Sequence, residues 1–211
     1  TSTTDAELGG TVRLATGATQ VSAGAVDKIT LTAADDALMR AVLTTTTGIA
    51  AGAAVTAGGG ISVQAVVDHQ VDVSAGGLGV AVSTARTTAG LADGADLQDA
   101  TSLAVSATST DHTAVVAAGP ALVSSLAGTT ARLGAGPRLV LAGDLTLAAS
   151  QDAGASATGR GTALVAADHR ATAAIGRALT VGGSLAAAAT GSSRTSAFAT
   201  AGDRTPVAAD A

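Results

Sequence analysis

The chain has 211 residues, 47% of them hydrophobic, with mean hydropathy +0.45, so it can bury a core and does not read as a disordered tail. Sixteen acidic residues against eleven basic ones leave a net charge of -5, and the arginines are scattered singly, which excludes the basic patch of a nucleic-acid binder. The absence of cysteine excludes disulfides and thiolate metal sites, and Phe198 is the only aromatic residue, so Ala, Val and Leu must fill a thin, regular interior.

The opening TSTTDAELGG lacks an initiator Met and has neither the basic nor the apolar part of a signal peptide, so the sequence reads as an excised or processed piece, and the signal of a secreted parent would lie outside it. Gly, Ser, Thr or Asp interrupts every apolar run, so no membrane span is expected. Residues 11–28, TVRLATGATQVSAGAVDK, read as a partial unit ahead of ITLTAADDALMRAV at Ile29. Related stretches follow: ISVQAVVDHQVDVSAGG (61–77), LAVSATSTDHTAVVAAG (103–119), LTLAASQDAGASATGRG (145–161) and LAAAATGSSRTSAFATAG (185–202). The starts at Ile29, Ile61, Leu103, Leu145 and Leu185 give a period of about 42 residues with one shortened unit, so the whole chain, 1–211, reads as one repeat array.

Within each unit the apolar period is two, the mark of a half-buried strand. Leu103, Val105 and Ala107 form a first inward set. Val71 and Val73, or Ala114, Val116 and Ala118, form a second, closing at turns at Gly76, Gly119, Gly159 and Gly202. Further strands are expected at 80–84, 121–125 and 163–167, and again at 139–143 and 179–183. Four short strands per unit predict an all-β parallel β-helix with two coils per repeat, so that ten or so coils make a rod on the order of 50 Å long. Residues 163–179 could be drawn as a helix, but the density of Thr, Val and Gly speaks against it.

Aligned in this way, Ala174-Ile175-Gly176, Leu179, Val181, Gly182, Gly183 and Leu185, with Arg132-Leu133-Gly134 and Leu145, carry a resemblance. The pattern resembles the Ala/Gly/Thr-rich repeats of giant bacterial surface proteins, the filamentous-haemagglutinin-like adhesins and autotransporter passenger domains. The resemblance implies an elongated, right-handed β-helix that projects or exports an adhesive region at the cell surface. The head repeats of trimeric autotransporter adhesins also use Ala-Ile-Gly, but at a much shorter interval, whereas here it occurs clearly only at 174–176.

Chemistry is sparse. The histidines each follow an acid, Asp68-His69, Asp111-His112 and Asp168-His169, and neighbours on a strand point to opposite faces, which is wrong for a catalytic dyad. His69 and His112 sit at nearly the same offset after Ile61 and Leu103, close enough in repeat position to stack; all three histidines are expected in solvated turns. Asp93, Asp96 and Asp99 share one loop and form a weak Ca²⁺ candidate, although no Glu closes an EF-hand pattern. No catalytic or cofactor-binding motif stands out, so neither a catalytic residue nor a cofactor is expected. β-Helix carbohydrate-active enzymes are the rival class, yet paired carboxylates and stacking aromatics are missing. Ice binding is a third reading, prompted by the Thr run at 44–47 and by Thr30 and Thr32, whose counterparts in other units are mostly Ser, Ala or Gln, so no continuous ladder is expected. The chain is therefore expected to be a non-enzymatic rod or spacer of an adhesin-like protein. Its expected partners are neighbouring repeats, host or cell-surface ligands bound through other regions, and further copies joined end to end.

Overall fold

A computed structural model describes residues 2–14 and 17–200. These residues form fifteen strands: β1 (Ser2–Leu8), β2 (Thr11–Leu14), β3 (Thr19–Ala33), β4 (Ala37–Ile49), β5 (Ala54–Ala57), β6 (Gly60–Ala75), β7 (Gly79–Leu91), β8 (Asp96–Gln98), β9 (Ser102–Ala117), β10 (Ala121–Leu133), β11 (Leu139–Leu141), β12 (Leu145–Arg160), β13 (Ala163–Ile175), β14 (Leu179–Val181) and β15 (Leu185–Thr200). Each strand pairs in parallel with a strand three places away, giving stacked sheets β3-β6-β9-β12-β15 and β1-β4-β7-β10-β13 and a short third wall of β2-β5-β8 and β11-β14. The chain is an all-β parallel solenoid, and among the described residues no helix is long and apolar enough to cross a membrane.

One coil takes a whole repeat, which corrects the expected two coils per repeat. Thr19 pairs with Ile61, Ile61 with Leu103 and Leu103 with Leu145, each one repeat on, and Leu145 pairs with Leu185 across a slightly shorter final repeat. The expected unit start at Ile29 is displaced for the same reason: Ile29 pairs with Val71, and the first complete unit begins at Thr19. The expected turn at Gly202 lies outside the described residues.

Two segments taken as separate strands in fact run together. β9 alternates without a break from Leu103 to Ala117, burying Thr113 and Val115 and leaving Val116 56% exposed, so the expected inward set Ala114, Val116 and Ala118 is off by one residue. With no turn residue to interrupt it, period-two burial carries through the full sixteen residues. A strand of that length spans about 50 Å, whereas the five stacked strands of its sheet rise only about 19 Å. The described segment is therefore broader than it is tall, not the ten-coil rod that shorter strands would have built.

The cross-section is a wedge, and composition follows its width. Where the third wall holds the long sheets apart, Ile49, Leu91, Leu97, Leu103, Leu133, Leu139 and Leu145 fill the space. At the opposite edge only residues 76–78 separate β6 from β7, and the core shrinks to Val71, Val73, Ala75, Ala81, Val115 and Ala117. There a Cβ on Gly79 would come within 2.7 Å of Val115 Cγ1, so at that position the sheets leave no room for a side chain. The core of small residues is thus a consequence of thinness, and stacking on neighbouring coils makes it continuous.

Candidate functional site

Between the two apolar clusters the interior turns polar. In the long first strand, inward positions 27, 69 and 111 of three successive coils carry Asp27, His69 and Asp111, which the pairing places in register. Ala153 and Ser193 continue the file. The adjoining inward positions include Ser109 and Gln151 on one side and Thr113 on the other, and the facing sheet contributes Ser83, Ser125, Thr45, Thr87 and Thr129. His69 and Asp111 are both 0% exposed.

These positions overturn the assignment of the histidines to solvated turns. His69 lies in mid-strand inside the core, where Nε2 shares a 3.0 Å hydrogen bond with Ser83 Oγ and Nδ1 lies 3.7 Å from Asp27 Oδ2. Burial pushes its pKa below the ordinary value, against the smaller opposing pull of Asp27 and Asp68. His169 is half-buried in β13 and bridges coils, with Nε2 3.1 Å from Ser125 Oγ and Nδ1 2.8 Å from Ser193 Oγ; desolvation lowers its pKa as well. His112 is exposed and pairs with Gln70, so it lies on the opposite face from His69. The Asp and His of each Asp-His pair do point to opposite faces, as a strand requires.

Asp111 is the most perturbed group in the file. Neither carboxylate oxygen has a hydrogen-bond partner, and burial raises its pKa from 3.8 to about 7. Also buried without a partner are His69 Nδ1, both side-chain polar atoms of Gln151, and the hydroxyls of Thr45, Thr47, Thr87, Thr113 and Thr129. An unmet buried polar group costs about 1–3 kcal/mol, and a whole domain is stable by only about 5–15 kcal/mol. A seam left unsatisfied throughout would cancel most of that stability.

The three acids of the calcium candidate are given separate tasks. Asp93 Oδ1 accepts a 2.9 Å hydrogen bond from the Ala135 backbone N–H one coil on, Asp96 Oδ2 accepts one from Gln98 Nε2 at 2.6 Å, and Asp99 holds a left-handed turn at φ 59°. Among the described residues no three His, Asp or Glu side chains converge on a metal-sized site. The contact of Asp93 belongs to a recurring device. Asp36 accepts from Leu78 N–H at 2.7 Å and Asp144 from Ser184 N–H at 2.8 Å, so turn carboxylates tie successive coils together.

Arg177 performs a related task at longer reach. The last repeat is two residues short because residues 176–178 replace 134–138 between paired strands, and the 9%-exposed Arg177 occupies that corner. Its guanidinium donates to Gly134 O and Ala95 O at 2.7 Å each and to Ala92 O at 3.2 Å, clamping three successive coils. Desolvation lowers its pKa, opposed by Asp96 and Asp93.

The outer faces are plainer. Thr30 pairs with Asp72, so no Thr file forms there, but Thr46, Thr88, Thr130 and Thr172 do form a continuous file on the second sheet, which the sequence alignment missed. It is one residue wide, flanked by a file of Thr44, Arg86, Gly128 and Arg170 and by one of Gly48, Gly90, Arg132 and Ala174. An apolar file of Leu38, Val80, Leu122 and Leu164 runs near the turn edge.

The buried seam escaped the sequence reading because the two alternating segments were phased separately. Its signal was available: His69 and Asp111 share odd parity with Ile61 and Leu103 and lie one full repeat apart. Comparison of the chain with protein-family models, curated proteins and solved structures finds no match.

Proposed function

We propose that this chain is a non-catalytic structural segment, a stack of coils that serves as a spacer in an exported, adhesin-like bacterial surface protein. The observation that supports this most is the way each coil is finished by its neighbours. Leu103 and Leu145 are 1% and 0% exposed, whereas Leu185, at the same position on the end coil, is 54% exposed among the described residues. An array of this kind gains length by adding coils, each sealed by the next, and its stability grows with each interface. The outer positions of β9 and β12 are mostly Ser, Thr and Ala, which suits a surface that spaces rather than grips. The likeness of its repeats to those of filamentous-haemagglutinin-like proteins supports the surface location, with ligand contact assigned to other regions.

The test is antibody labelling of intact and permeabilised cells that express the protein, using serum raised against residues 2–200. Labelling of intact cells is the expected result. Labelling that requires permeabilisation would overturn the proposal.

A further inference from the structure

We infer that the polar seam is a binding site for internal water, a short file of molecules held by Asp111, Thr113, Gln151 and His69 Nδ1 between the two apolar clusters. The groups concerned are confined to one band. His69, Asp111 and Ala153 stack in one inward file, Ser109 and Gln151 lie in the file beside it, and Thr113 lies on its other side. Asp111, Thr113 and Gln151 are 0%, 2% and 4% exposed, and their terminal polar atoms have no protein partner. Buried groups of this kind in stable folds are met by water when no side chain reaches them.

Space and chemistry both favour water. The stack above Asp111 continues with Ala153, whose side chain ends at Cβ, and the opposite sheet presents Ser125 at the position where it presents Ser83 to His69. Gln151 Nε2 can only donate, Asp111 when ionised can only accept, and the Thr113 hydroxyl does both. A bare cation would serve the carboxylate and leave the amide nitrogen unmet, whereas water donates and accepts. The titratable groups facing Asp111 are His69 on the coil below, Asp27 beyond it, and His169 from the second sheet above. At its two ends the file reaches Asp27, whose side chain is 26% exposed, and Ser193, which is exposed among the described residues.

The test uses the full chain, isotope-labelled, with nuclear magnetic resonance cross-relaxation between water and protein protons. Long-lived water contacts are expected at the Gln151 side-chain amide and the Ala153 methyl, and none at the Ala81 methyl inside the narrow apolar edge. Asp111→Asn should keep the contacts because it preserves two hydrogen-bonding atoms, and Asp111→Leu should abolish them. Absence of contacts in the native chain while the Gln151 and Ala153 backbone amides stay protected from exchange would overturn the inference. So would a saturable gain in thermal stability on adding sodium, potassium or calcium chloride that Asp111→Asn removes, since that outcome assigns the site to a cation.

Discussion

Replacing Asp111 with Asn separates burial of a polar group from burial of a charge. In the folded chain the carboxyl is 0% exposed and titrates near 7, against 3.8 when free, with burial as the cause. Between those two values the folded state holds a proton that the unfolded state has released, so stability falls as pH rises through the window and levels off above about 7. At 1.36 kcal/mol for each tenfold change in the acidity constant, the loss comes to about 4 kcal/mol. Water held at the carboxylate would reduce that figure, so about 4 kcal/mol is a ceiling. His69 and His169 act in the opposite sense: their pKa values are lowered by burial, so each withdraws stability as pH falls below 6.5. Both remain in the variant and cancel when the two proteins are compared.

The assay is urea denaturation of the native chain and of Asp111→Asn at intervals from about pH 4 to pH 8. The two should be of similar stability near pH 4, and the advantage of the variant should grow to between about 1 and 4 kcal/mol by pH 8. Curves that stay parallel across the range would refute the placement of Asp111 in a low-dielectric interior.

Arg177→Ala should cost about 2–4 kcal/mol by denaturation midpoint, because three backbone carbonyls lose a charged donor, and Arg177→Lys should recover little since one ammonium cannot reproduce the fork. Gly90→Ala should destabilise by at least about 2 kcal/mol, since φ is +150° and an added Cβ would overlap the Arg132 carbonyl. Gly128→Ala, with no atom within 4 Å of the added Cβ, should be neutral or up to about 1 kcal/mol stabilising in the same assay. We propose end-to-end association of the chain, and Leu185→Asp should weaken it in sedimentation experiments, because that half-exposed leucine lies on the last coil among the described residues; unchanged association would remove this end from the contact.

Parallel stacking was legible because it rests on local alternation repeated at a fixed interval: Leu103, Val105 and Ala107 match Leu145, Leu147 and Ala149 position for position, and the structure pairs them. The short strands Leu139–Leu141 and Leu179–Val181 fall where the repeat placed them. Coil size was not legible, because the same period is satisfied equally by one long circuit or two short ones. The candidate site was missed for a related reason. A one-residue error in phase at Ala114 turned the inward face of β9 outward and hid Thr113.

By itself, then, the sequence determined the class of fold: period-two apolar patterning, frequent glycine and repetition of small residues leave a stacked parallel sheet as the economical way to bury this chain. Tertiary structure alone decided the number of strands per circuit, the wedge that separates the leucines from the alanines, and the polar seam between them. It also decided the reach of Arg177, whose partners lie 43 to 85 residues away. The physical reason is range. Alternation is a property of adjacent residues, whereas closure of a coil and satisfaction of a buried group depend on what arrives from a whole repeat away.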